Sequence, residues 1–161
     1  MDGQYTIIGE NQTIAAAGTL VLIRPGAAFG FKVLRAWAKQ AGTATSNQIR
    51  IQLGSKASAF PTTLASATPQ KLDEKSPASQ FTGGTSGAAG TCGINATSEG
   101  AGTFSAKFND AFNTLTGFEW TPVFEELRYR AGSADAFVMR FPATPAQTTG
   151  WEWGVVIQEE S

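Results

Sequence analysis

Period-two alternation of apolar and polar side chains dominates the chain, and it predicts β-strands that bury one face. The clearest instance is Ile49, Ile51 and Leu53 alternating with Gln48, Arg50 and Gln52. Phe104, Ala106 and Phe108 alternate with Ser105, Lys107 and Asn109, while Phe137, Met139 and Phe141 flank Val138 and Arg140, with Pro142 closing the run. Near the end, Trp151, Trp153, Val155 and Ile157 alternate with Glu152, Gly154, Val156 and Gln158. Two further runs, residues 19–24 and 31–39, are apolar on both faces for part of their length, as strands are when central to a sheet or covered by another subunit. Pro25-Gly26 between them supplies turn chemistry and predicts a hairpin or a close sheet pair. Shorter candidates at 5–8, 117–121 and 127–130 bring the expected total to about nine strands, the arithmetic of an all-β sandwich or jelly roll.

Two segments interrupt the pattern. Residues 55–79 contain Pro61, Pro69 and Pro77, which rule out a continuous sheet strand and predict a long excursion. Residues 83–102 are rich in glycine, but Cys92 and Ile94 sit among the glycines and favour an ordered loop over a free linker. Helix signals are confined to 109–115, where Asn109 or Asp110 supplies a cap and Gly117 a stop. No internal repeat or domain boundary is visible. The reading is one sandwich domain over 19–161, preceded by a weakly patterned N-terminal arm, 1–18, ending in small residues at Ala15 to Gly18.

Composition narrows the function. A chain of 161 residues buries roughly 70% of its unfolded surface, enough for a core without disulfides or metal. Charged residues make up 16% and the net charge is -1, so there is no basic field for nucleic-acid phosphates or an anionic membrane. No apolar run approaches the roughly 20 residues of a spanning helix. The first residues, Met1-Asp2-Gly3-Gln4, lack a basic stretch and an apolar segment, so no export is expected. The single cysteine, Cys92, allows no intrachain disulfide and fits assembly in a reducing cytoplasm. Two sequons, at Asn11 and Asn95, would matter only in a eukaryotic secretory pathway. Low charge with many small side chains suggests a surface meant to be covered.

Candidate chemistry is sparse. The absence of histidine removes serine-histidine and cysteine-histidine mechanisms, and with one cysteine it removes a structural zinc site. Cys92 has no basic neighbour in sequence and reads as a small buried residue. The glycine-rich segment has no Gly-Lys-Ser/Thr ending and no basic residue from Gly83 to Gly102, so it lacks the ion-pairing half of a phosphate loop. Glu119, Glu125, Glu126 and Glu152 are the carboxylates from which a sandwich glycosidase would draw its acid and nucleophile, but they occupy ordinary solvent-face positions. Asp73, Glu74 and Glu99 are oxygen ligands for calcium if brought together, although their spacing matches no calcium loop. Trp37, Trp120, Trp151 and Trp153 would serve a sugar-stacking platform, a core or a subunit interface. The expectation is no catalytic residue, no metal and no cofactor.

At a larger scale the chain resembles a group of short virion structural proteins of tailed bacteriophages. The likeness runs through Leu34-Arg35-Ala36-Trp37, Ala59-Phe60-Pro61 and Ser66-Ala67-Thr68-Pro69-Gln70-Lys71-Leu72-Asp73. It continues in Gly90-Thr91-Cys92-Gly93-Ile94-Asn95-Ala96, Asp110-Ala111-Phe112-Asn113 and Gly150-Trp151-Glu152-Trp153-Gly154-Val155, together spanning most of residues 30–160. None of these stretches is a catalytic signature. The resemblance implies a non-enzymatic capsid cement or decoration protein with a sandwich or jelly-roll fold. Such a protein is made in the bacterial cytoplasm and sits as a homotrimer on the outer capsid, where it binds the major capsid protein and neither nucleic acid nor membrane. A tail or head fibre component with a carbohydrate-binding module is the alternative.

Overall fold

The computed structural model describes residues 3–42, 45–124 and 127–161, and all of its regular elements are strands. In chain order they are β1 (Gln4–Gln12), β2 (Gly18–Ile23), β3 (Gly30–Gln40), β4 (Gln48–Ala57), β5 (Ala65–Ser66), β6 (Gln70–Lys71), β7 (Thr82–Gly83), β8 (Thr91–Ile94), β9 (Thr103–Asn113), β10 (Phe118–Trp120), β11 (Arg128–Tyr129), β12 (Asp135–Phe141) and β13 (Trp151–Glu160). The first sheet has the order β10-β3-β13-β1-β6, with β11 also on β3; the second has the order β5-β8-β2-β12-β4-β9, with β7 on β8. Every pairing is antiparallel except the short one between β7 and β8.

Leaving aside β5, β6, β7, β8 and β11, the layers are β10-β3-β13-β1 over β2-β12-β4-β9. Of the connections among these principal strands, only β4 to β9 stays within one layer. This interleaving is that of a jelly roll, and it gives the all-β sandwich that the alternation predicts. It also overturns the hairpin expected at Pro25-Gly26. Strand β2 lies between β12 and β8, whereas β3 lies between β13 and the short strands β10 and β11, so the turn is a corner between layers.

The inner faces share one core, in which Trp151 meets Phe112 and Phe141 at ring distances of 6.2 and 5.0 Å. Strands β2 and β12 are buried on both faces. Val21, Ile23, Phe137 and Met139 point inward, while Leu22, Ala136 and Val138 pack outward against Leu64, Phe60 and Phe104. The outer cover comes from the chain's own β4–β9 connection rather than from another subunit.

That connection, residues 58–102, joins the excursion expected at 55–79, whose first three residues instead end β4, to the glycine-rich segment expected at 83–102. It lends β6 to the free side of β1 and β8 to the free side of β2, and the glycine-rich part is ordered. Gly90 adopts φ +73, a left-handed conformation open to glycine, while its N–H donates to the carbonyls of Arg24 and Pro25. Two carboxylates tie the excursion down. Glu159, 2% exposed, accepts the Ser79 hydroxyl and the Gln80 N–H. Glu99 accepts the Thr19 N–H and hydroxyl and pairs at 3.5 Å with Lys56, itself 2% exposed. Arg24 lies 4.7 Å from the Phe60 ring centre, and the Tyr5 hydroxyl donates to Pro77 O.

Three other expectations change. The stretch read as an N-terminal arm holds strand β1, laddered between β13 and β6 with Tyr5, Ile7 and Ile14 buried, so the domain begins there rather than at residue 19. The helical turn expected at 109–115 is strand as far as Asn113, because β4 continues the ladder to the Gln48–Asn113 pair and Phe112 fills the core. A turn follows, in which the N–H groups of Thr116 and Gly117 both donate to Asn113 O. Finally, Phe104 and Phe108 do not share a face. A bulge opposite Leu53 and Gly54 reverses the parity, sending Phe108 toward the inner core and Phe104 to the outer cluster, over Arg140.

Replacing Glu159 by alanine removes a buried carboxylate that accepts charge-assisted hydrogen bonds from the half-buried Ser79 and from Gln80. The expected loss is about 2–3 kcal/mol, measured by chemical denaturation, with new protease cuts confined to residues 58–102.

Candidate functional site

With the excursion on the outside of the second sheet, the broad open face of the molecule is the outer face of the first. At its centre runs a cross-strand row: Ile8 of β1 stands opposite Gly154 of β13, Gly154 opposite Trp37 of β3, and Trp37 opposite Glu119 of β10. The next row is Thr6, Val156 and Arg35. Trp37 lies directly over Gly154, where a Cβ would come within 2.1 Å of the indole Cζ2. Arg35 sits 5.3 Å from the Trp37 ring centre and forms a 3.1 Å ion pair with Glu119. Ile8 remains 47% exposed. A shallow groove of about 190 Å³ runs beside Trp37, walled by Ile8, Glu10 and Glu152 over the backbone of Gly9 and Trp153.

Trp37 reaches this face because of a second bulge. Val156 pairs with Arg35 and Ile157 with Val33, so Leu34 is the extra residue. Phe31 and Val33 therefore point inward before it, and Ala36 and Ala38 after it, leaving Trp37 outside. The other tryptophans, Trp120, Trp151 and Trp153, are all in the core at 6%, 0% and 1% exposure. The four form no common platform, and Trp37 alone is presented.

A larger cavity, about 410 Å³, opens at the mouth of the sandwich between β9 and β11, with Ser55, Lys107, Tyr129, Arg130 and Asp135 in its lining. The Tyr129 hydroxyl donates to Gly54 O at 3.0 Å and shares a 2.9 Å hydrogen bond with Ser55, while its ring stacks on Phe31 at 5.1 Å. Burial, with Asp135 adding to it and the Ser55 bond opposing it, pushes the phenol up to about 12.

Of the carboxylates singled out in the sequence, the two that are described, Glu119 and Glu152, are not assembled into a pair. Glu119 is held by Arg35, and Glu152 stands in a different row, opposite Lys39. Glu125 and Glu126 lie outside the described residues. Glu10, which alternation alone gives no reason to single out, is the carboxylate that shares the Trp37 groove with Glu152. Asp73 caps a turn by accepting the Lys75 N–H, and Glu99 is engaged by Thr19 and Lys56. Among the described residues, no group of three or more His, Cys, Asp or Glu is placed to hold a metal ion. Cys92 lies on β8 at 0% exposure, and burial, followed by the nearby Glu159 charge, raises its thiol well above the ordinary range.

Two measurements follow from these environments. Cys92 is expected to resist thiol reagents in the folded protein and to react once denatured, since its thiolate is suppressed and shielded. For Tyr129, raising the folded value means that the neutral phenol is the form the fold favours. Its contribution is complete below the ordinary phenol range near 10 and is lost as pH climbs through about 12. At roughly 1.4 kcal/mol per unit this is about 2–3 kcal/mol. Phenolate absorbance should therefore rise together with alkaline unfolding, and Tyr129→Phe should remove this phenol's share of that pH dependence while leaving the share of the Cys92 thiol and the Tyr5 phenol, both also raised by burial.

Comparison of the chain with protein-family models, with curated proteins and with solved structures returns no match.

Proposed function

We propose that this protein is a non-enzymatic capsid cement protein, one that binds the outer surface of a tailed-phage head and stabilises contacts between major capsid protein subunits. The observation that carries the reading is the contrast between the outer faces of the two sheets. Much of the connection over residues 58–102 covers one face, whereas the other stays open with Ile8, Trp37 and Val156 along its middle and charged side chains around them. A face with a small apolar centre ringed by exposed charges, Arg35, Lys39, Glu119 and Glu152 among them, has the apolar core and polar rim of a protein-binding surface. Large apolar side chains at loop tips, Leu72, Leu115, Val123 and Phe124, add further exposed contacts.

The mechanism is binding. In the proposed homotrimer each copy presents the same open face, so several modest contacts engage one shell together through their high effective concentration. Stabilisation follows by mass action, because the trimer binds assembled shell and not separated subunits. The low net charge suits close approach to another protein surface and gives no hold on nucleic acid. The cytoplasm of the bacterial host is where the chain is made, and the outer capsid is where it acts.

A second reading rests on one feature, the groove in which Trp37 stands beside Glu10 and Glu152. A half-buried indole beside two carboxylate acceptors offers the groups of a sugar subsite, and it favours a fibre or adhesin carrying a carbohydrate-binding module. A glycan array separates the two, since a lectin must show a saturable sugar and a cement need not.

The direct test is the number of copies of this chain per major capsid protein in purified particles, by quantitative mass spectrometry. A ratio near one is expected; a handful of copies per particle would point to tail or fibre, and complete absence would sink the virion reading. Ile8→Glu, a substitution at an exposed site, is expected to weaken binding to empty shells at least tenfold, about 1.4 kcal/mol or more, without changing the melting temperature.

A further inference from the structure

We infer that the free edge of β9 is a docking edge for a second copy of this chain, joined antiparallel about a two-fold axis near Asn109. The starting point is how the fold treats its sheet edges. The edge of β3 is capped by β10 and β11, that of β1 by β6, and that of β2 by β8, which itself carries β5 and β7. Strand β9 has β4 on one side and, among the described residues, no strand on the other along 11 residues. Such a row of backbone N–H and C=O groups is a template for another strand. One of them, the Ala111 N–H, bonds only to its neighbour's side chain, Asp110 Oδ1, at 2.7 Å.

The side chains fit a like copy. Strand β9 carries one cation, Lys107, and one anion, Asp110, so the edge is neutral as a whole and does not repel itself. Asp110 stands opposite Ile51, on the side facing the first sheet. The bulge brings Lys107 to the same side, where it lines the sandwich mouth near Tyr129. In an antiparallel pairing centred on Asn109, Lys107 of each copy falls opposite Ala111 of the other and therefore beside its Asp110. The two-fold axis makes this opposite-charge contact twice, at a spacing long side chains span. The products are a second sheet continuous across two copies and an interface unlike the threefold one proposed above; on a shell it would link neighbouring trimers. The inference does not depend on the cement reading, because it concerns the free protein.

The test introduces one exposed cysteine at a time into the full chain, whose own Cys92 is buried. Asn109→Cys, oxidised with copper phenanthroline, is expected to form a disulfide-linked dimer about tenfold or more faster than Ser86→Cys, a control on an exposed loop of the excursion, because only the first is held beside its own copy. Within the Asn109→Cys background, Lys107→Asp or Asp110→Lys alone is expected to slow cross-linking severalfold, and the two together to restore it, a reversal that loss of folding cannot imitate. Equal rates at positions 109 and 86, or a double charge exchange that fails to restore the rate, would overturn the inference.

Discussion

Strands β2 and β12 are buried on both faces, and the rest of the molecule follows from meeting that demand. One side is met by the first sheet across the common core. The other side, where Leu22, Ala136 and Val138 emerge, lies on what would otherwise be the outside of a two-layer sandwich. Each large side chain left there uncovered would forgo about 1.5–3 kcal/mol. The long β4–β9 connection is therefore a third layer, and its few regular hydrogen bonds explain why two carboxylates, the half-buried Glu99 and the buried Glu159, anchor it. A loop rich in glycine and proline has little intrinsic preference for one shape, and side-chain acceptors with several backbone donors give it one.

Much of this architecture is legible in the sequence, and the failures have a common cause. Alternation at Ile49, Ile51 and Leu53, and again from Trp151 to Ile157, marks β4 and β13 because both keep one parity against the core. The run at 19–24, apolar on both faces, marks β2 as a doubly buried strand, but the run at 31–39 does not: β3 is central to its sheet yet leaves Arg35 and Lys39 exposed, and β12, whose alternation promises one buried face, is buried on both. What alternation cannot carry is which strand pairs with which: Pro25-Gly26 has the composition of a hairpin turn, yet the flanks of β2 and β3 are taken by strands far away in sequence. Nor can it carry a bulge. One extra residue at Leu34 and another at Lys107 exchange the faces of everything beyond them, so that Trp37 and Val33, four residues apart, point to opposite sides. The arm reading of the first residues failed for a related reason, since exposed Ile8 and glycine at position 9 blur the alternation that Tyr5 and Ile7 begin.

The candidate surface was legible only in fragments. Sequence marks four tryptophans without saying that three are core and one is presented, because the bulge decides it. It marks Glu152 but not Glu10, which comes beside it only through the β1–β13 ladder. Conversely, the expected fate of Cys92 as a small buried side chain needed no tertiary information beyond its apolar neighbours, and it lies wholly inside.

Two glycines on neighbouring strands each make room for an indole, on opposite faces of the same sheet. A Cβ at Gly154 would collide with Trp37, and one at Gly9 would lie 2.5 Å from Cε2 of Trp153. An aromatic ring laid over a glycine repairs the gap that the glycine leaves in a strand. Neither partner is free to drift alone. Among homologues, positions 154 and 37, and separately 9 and 153, should vary as couples: a side chain arrives at one only where the indole has shrunk at the other, and the change in between is the one selection removes.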